Sequence, residues 1–233
     1  MGCFDLFVPA ASKKAQEKAQ LITLKKGKTP EQQRCIDFFF HDDKSGCLSS
    51  NTTTYTLGEY QTLVARKCAE LNLRQKAINK IGLDESQIQE IEPIVLTSFR
   101  FDDDSYIKVK DKAVVSSKYS VSWIFFSREQ LFTYTFILDM TSDNTWEYTN
   151  DYFYTDITSI STSRLVKEKI DITIGSGCLN GNKDNVTKSN YVIDSLEITA
   201  AGVKDSFTMR NSTTMEESVQ AVKAMIREKK YEK

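Results

Sequence analysis

A chain of 233 residues with 31 Lys+Arg against 32 Asp+Glu carries a formal charge of −1, and 40% of it is hydrophobic. That is enough apolar material for a core, while 9 Gly and 3 Pro exclude collagen-like and low-complexity classes. Near-neutral charge argues against a dedicated nucleic-acid binder, and a single His excludes a multi-histidine metal centre.

In chain order, the first expected helix runs from Ser12 to Leu24 and is closed by Gly27. Thr29, Pro30 and Gln32 form the start of a second, with Thr29 as cap and Pro30 at the first helical position, running to about Phe40. His41 to Tyr55 reads as a polar loop. Thr56 and Glu59 form another capping box, and Leu57, Tyr60, Val64 and Leu71 share one face of a helix ending near Asn72. Shorter helices follow over Arg74–Ile81, stopped by Gly82, and over Asp84–Ile91.

Beyond Pro93 the chain changes character, with β-branched and aromatic residues dominating. Strands are expected over 106–115, 119–127, 130–140, 145–154, 157–163, 168–174, 191–199 and 203–210. In the third, Leu131, Thr133, Thr135, Ile137 and Asp139 face one way and Phe132, Tyr134, Phe136 and Leu138 the other. Ser142-Asp143-Asn144 and Thr155-Asp156 read as hairpin turns, and Gly175 to Lys188 as a long polar loop. A final helix is capped by Thr213, carries Met215, Val219, Val222 and Ile226 on one face, and ends in Arg227, Lys229 and Lys230, which suit its dipole. The fold class is therefore α+β: a bundle of short helices over residues 1–92, then a strand-rich unit over 93–233.

Two stretches carry a resemblance. Phe125-Phe126-Ser127-Arg128-Glu129-Gln130-Leu131-Phe132-Thr133-Tyr134 is a strand, a polar turn and an apolar strand. Tyr152-Phe153-Tyr154-Thr155-Asp156-Ile157-Thr158-Ser159-Ile160-Ser161 is a later strand running through an aromatic, Asp and Ile into Ser. With the terminal helix, residues 106–230 resemble bacterial pleckstrin-homology-like (PH-like) domains. The resemblance implies a bent antiparallel sheet or partial barrel whose open end the helix caps, and a binding module rather than an enzyme. Phosphoinositide-binding members carry a Lys/Arg cluster at the first hairpin. Here that turn offers Arg128 beside Glu129, and Tyr119 to Ser163 adds Asp139, Asp143, Glu147, Asp151 and Asp156, so an anionic head group would meet repulsion.

No candidate chemistry assembles. Gly175-Ser176-Gly177-Cys178-Leu179-Asn180-Gly181 lacks the helix that would receive a pyrophosphate. His41 with Cys35 and Cys47 lacks zinc-ligand spacing, and Asp102-Asp103-Asp104 lacks the alternation of a calcium loop. Cys178 has no flanking cation to activate it. The five cysteines (Cys3, Cys35, Cys47, Cys68, Cys178) are odd in number and widely spaced, which suits reduced thiols. Met1-Gly2-Cys3 resembles an acylated start, but Leu6 breaks the myristoylation pattern. A helix-turn-helix reading of 74–91 fails on Glu85 and Glu90 in the reading helix. Lys13, Lys14, Lys18, Lys25, Lys26, Lys28 and Arg34 against Glu17 and Glu31 make a basic segment near the start, suited to a membrane surface or to the acidic strands.

With no membrane-length apolar run and no basic leader, the chain reads as cytoplasmic. The expected function is a non-enzymatic module for protein–protein contact or self-association, with no catalytic, metal or cofactor residues, no nucleic acid and no small-molecule substrate. The alternatives are a peripheral membrane module using the basic helix and an enzyme of a type the motifs do not reveal.

Overall fold

The computed structural model describes residues 19–40, 54–83, 92–110, 113–174, 184–210 and 213–231. Helix α1 is seen over 19–25 and closes at Gly27, whose φ of 74° is left-handed. Helix α2 (Pro30–Phe40) begins with the expected box: Gln32 N donates to Thr29 Oγ1 at 3.2 Å, and Thr29 N donates to Gln32 Oε1 at 3.0 Å. Helix α3 (Leu57–Glu70) begins the same way, with Glu59 N donating to Thr56 Oγ1 and Thr56 N to Glu59 Oε2. These reciprocal bonds satisfy donors that a helix start otherwise leaves bare. Helix α4 (Leu73–Ile81) ends at Gly82, φ 74°. The expected helix over 84–91 lies outside the described residues.

Among the described residues nine strands follow: β1 (Ile94–Arg100), β2 (Ile107–Lys110), β3 (Ala113–Ser116), β4 (Lys118–Phe126), β5 (Gln130–Asp139), β6 (Thr145–Phe153), β7 (Ile157–Ile174), β8 (Asp184–Ala200) and β9 (Val203–Met209). They form a four-stranded sheet in the order β1-β4-β5-β6, a β2-β3 hairpin and a three-stranded sheet β7-β8-β9, with every pairing antiparallel. Helix α5 (Thr213–Tyr231) follows β9. The α+β class with a C-terminal helix is as expected, and the sheets do not close into a barrel.

Several strand readings need correction. The run Ile94 to Arg100, outside the expected strands, is also a strand and pairs with β4 from Ile94↔Ile124 to Arg100↔Lys118. The expected strand 106–115 is a hairpin, β2 with β3. The expected strands 157–163 and 168–174 are one continuous 18-residue strand, β7, and β8 begins at Asp184 instead of 191. Polar residues hide this extension, because its pairing is set by backbone hydrogen bonds to the opposite strand and not by a buried face. Thr155-Asp156 is not a hairpin turn. It lies in a single 3-10 turn, Tyr154–Asp156, where the chain leaves one sheet for the other.

Alternation along β4 and β5 explains the layering. One face presents Tyr119, Val121, Phe125, Tyr134, Phe136 and Leu138 to a cluster that includes Cys35 and Phe38 of α2, Tyr60, Leu63 and Val64 of α3, and Ala77 and Ile78 of α4. The other face presents Ile124, Phe126 and Leu131 to Leu196, Ile198 and Phe207 of the second sheet and to Val219, Val222 and Ile226 of α5. Strands β4 and β5 are thus buried on both sides, which accounts for their aromatic density. Polar ties reinforce the helical layer: Tyr60 Oη donates to Ser116 O at 2.7 Å, and Lys108 Nζ donates to Phe38 O at 2.6 Å.

A candidate binding edge

The second sheet carries a run of exposed strand. β9 pairs with β8 only from Ala200↔Val203 to Asp194↔Met209. β7 and β8 continue together to Ile174↔Asp184, so the outer half of this sheet is a two-stranded ribbon. β7 lies at the sheet edge, with β8 as its pairing partner. From Ser161 to Val166 every side chain is exposed, although the segment is continuous strand. Leu165, Val166 and Val192 are 51%, 59% and 48% exposed, and Val166 stands opposite Val192 in the ladder. A two-stranded ribbon in water is marginal, and apolar groups on it gain by being covered.

Beside this edge, a cleft of about 660 Å³ separates β7 from the first turns of α5. Thr162, Ser163 and Arg164 line one wall; Arg210, Glu216 and Gln220 are among those across from it. Arg164 is held in place by the carboxylate opposite it in the ladder: Nε donates to Asp194 Oδ1 at 2.7 Å and Nη2 to Oδ2 at 3.3 Å. Arg210 donates to Tyr119 Oη at 3.4 Å, and its guanidinium lies 5.9 Å from the Phe99 ring centroid. A smaller groove of about 330 Å³ lies between α3, α4 and the central sheet, lined by Cys68, Ala69, Leu73, Thr97, Val121 and Trp123 among others.

Of the residues weighed for chemistry, Cys35, Cys68 and the Asp102-Asp103-Asp104 run are among the described residues. Cys35 is fully buried in the helix–sheet cluster, and desolvation pushes its thiol up to about 12. Cys68, half-buried, is pushed to about 11 by the same cause. His41, Cys47, Cys178 and the glycine-rich segment lie outside the described residues, as do Lys13, Lys14 and Lys18. Asp102 pairs with Arg100 at 3.0 Å, and Asp104 accepts from Lys118 Nζ at 2.6 Å, so two of the three aspartates serve ion pairs. Lys118 is itself buried, with its ammonium 4.5 Å from the Trp146 ring centroid. Among the described residues no group of three His, Cys, Asp or Glu is placed to hold a metal, and no helix is long and apolar enough to cross a membrane.

The basic segment near the start is partly used inside the chain: Lys25 pairs with Asp37, and Arg34 lies 4.1 Å from the Tyr55 ring centroid. The acidic strands are met by other cations. Lys76 and Lys80 of α4 reach Glu147 at 3.7 and 3.5 Å, and Gln32 Nε2 donates to Asp143 at 2.7 Å.

One polar cluster had no signal in the sequence. Asp205 on β9 accepts from Asn150 Nδ2 at 2.8 Å and from Tyr152 Oη at 2.8 Å, both on β6, and from Thr133 Oγ1 on β5 at 3.4 Å. It clamps the two sheets together. Desolvation, and then the hydrogen bond to Asp205, raise the Tyr152 phenol well above its ordinary value. No protein-family model, curated protein or solved structure matches the chain.

Proposed function

We propose that this chain is a non-enzymatic, cytoplasmic binding module of PH-like architecture that takes an extended segment of a protein partner along the edge of β7. The observation that carries the reading is the run Ser161 to Val166, exposed on both faces of an edge strand and flanked by the cleft against α5. Such an edge offers a row of backbone donors and acceptors, and strand addition satisfies them in register. The PH-like reading is supported by the topology. A meander of β4, β5 and β6 with β1 beside it is followed by a corner, a second meander of β7, β8 and β9, and a helix whose apolar stripe seals the space between the sheets.

The test is selection of displayed peptides on the full-length chain, followed by amide hydrogen exchange. Peptides of alternating apolar and polar residues are expected, with exchange slowed across residues 161–168 when they bind. Selected peptides that leave those amides unchanged and protect another surface would sink the proposal.

A further inference from the structure

We infer that the outer half of β7 pairs with its own counterpart, so that two copies of this chain join their second sheets through a twofold axis at Val166. The inference rests on the reading of β7 as a docking edge and names its occupant.

Two antiparallel strands related by a twofold axis keep the same face up, because that axis runs perpendicular to the sheet. Directly opposed residues share a face, so the strand must be centred on a residue that meets its own copy. The sequence Thr162-Ser163-Arg164-Leu165-Val166-Lys167-Glu168-Lys169 then restricts the choice. Centring on Arg164, Lys167, Glu168 or Lys169 sets a charge against itself. Centring on Thr162, Ser163 or Leu165 avoids that but brings no opposite charges together. Centring on Val166 sets Val166 against the partner's Val166, Leu165 against the partner's Lys167, and Arg164 against the partner's Glu168. Opposite charges across a strand pair stabilise it and like charges oppose it, so the charges choose this register.

The neighbouring strand agrees with that choice. Val166 stands opposite Val192 on β8, and both are about half exposed. Centred pairing therefore lays Val192, Val166, the partner's Val166 and the partner's Val192 in one row across a four-stranded sheet, flanked by Arg164 and the partner's Glu168. Asp194 already orients the Arg164 guanidinium from the other side. The apolar groups that the single chain leaves in water become mutually covered. A contact of this length is small beside a standard interface of about 1,600 Å², so the dimer forms in concentration-dependent exchange.

The decisive experiment is oxidative crosslinking in the full chain with Cys3, Cys47 and Cys178 replaced by Ser. Val166→Cys is expected to give a disulfide-linked dimer at least tenfold faster than Thr162→Cys. The latter lies on the same strand face, but in this register it stands about 27 Å from its own copy, too far to bridge. In the otherwise native chain, light scattering should read a mass rising towards twice that of the single chain with concentration. Val166→Lys should abolish that rise without lowering the melting temperature, and Glu168→Arg should reduce it several-fold. Equal crosslinking of the two cysteine variants, or a single-chain mass at every concentration, overturns the inference. If in that case selected peptides still slow exchange across 161–168, the edge takes a foreign strand and only the self-pairing is wrong; if they do not, both readings fall together.

Discussion

At the scale of single residues, the turn between β8 and β9 departs from what its residues prefer. Ala201 and Gly202 have φ of 47° and 83°, and the flanking pair Ala200↔Val203 closes a two-residue hairpin. Two successive positive φ values match the backbone twist of such a hairpin, and Asn-Gly suits them best. An alanine Cβ in the left-handed region costs about 1–2 kcal/mol. Ala201→Asn should therefore stabilise the chain by about 0.5–1 kcal/mol and raise the melting temperature by about 1–4 °C, read by thermal denaturation. Tyr60 shows the opposite case. Its ring is fully buried, and its hydroxyl donates to the backbone oxygen of Ser116. Tyr60→Phe should cost about 1–2 kcal/mol in urea unfolding, because the accepting carbonyl then stays buried with one bond fewer. The helix caps belong to this scale too. Thr56→Ala should cost about 1 kcal/mol, and the pairing of Thr56 with Glu59 was legible in the sequence because both partners lie within one turn.

At the scale of elements, local spacing and distant pairing separate cleanly. The starts of α2 and α3, the stop of α4 at Gly82 and the two-faced alternation of β5 could all be read from neighbouring residues. β1 could not be read in the same way, although Ile94-Val95-Leu96-Thr97 is a strand-forming run. Its two faces serve different clusters, with Leu96 in one and Phe99 in the other, and its place beside β4 is set by residues 18 to 30 positions away. The continuity of β7 through Arg164 to Lys167 was hidden for a related reason: its side chains there face water, and the hydrophobic signal that marks a buried strand is missing. The clamp at Asp205 is the element-scale contact with the largest expected effect. Asp205→Ala leaves Asn150 and Tyr152 without their acceptor, and the expected loss is about 2–3 kcal/mol. Asp205→Asn should cost less, since one amide oxygen still accepts. Equal losses for the two variants would show that the clamp acts through packing instead.

At the scale of the whole molecule, charge and burial set the response to pH. The backbone N–H and hydroxyl of Thr56 hold the Glu59 carboxyl below its ordinary 4.5. Lys118 holds Asp104 below 3.8, and Lys204 with Ser163 and Ser161 holds Glu197 below 4.5. Burial alone would raise Glu31, but Lys67 and Arg66 outweigh it and bring it below 4.5 as well. A carboxyl lowered on folding contributes stability that is complete above its unfolded-state value and is lost as pH falls through the folded one. Unfolding free energy should therefore stay level near neutrality and fall as pH drops below the ordinary carboxylate values. Asp104→Asn should flatten part of that slope in denaturant titrations at several pH values.

The sequence by itself determined the α+β class, the helix starts at Thr29 and Thr56, the two faces of β5 and, through its single His, the exclusion of a multi-histidine metal centre. All of these depend on residue type and on spacing within one or two turns or along one strand. The tertiary structure decided which acidic strand residue meets α4, how one carboxylate joins the two sheets, and that β7 and β8 run on as an exposed ribbon. Those features depend on backbone pairing and on side chains brought together from distant positions, for which periodicity carries no signal.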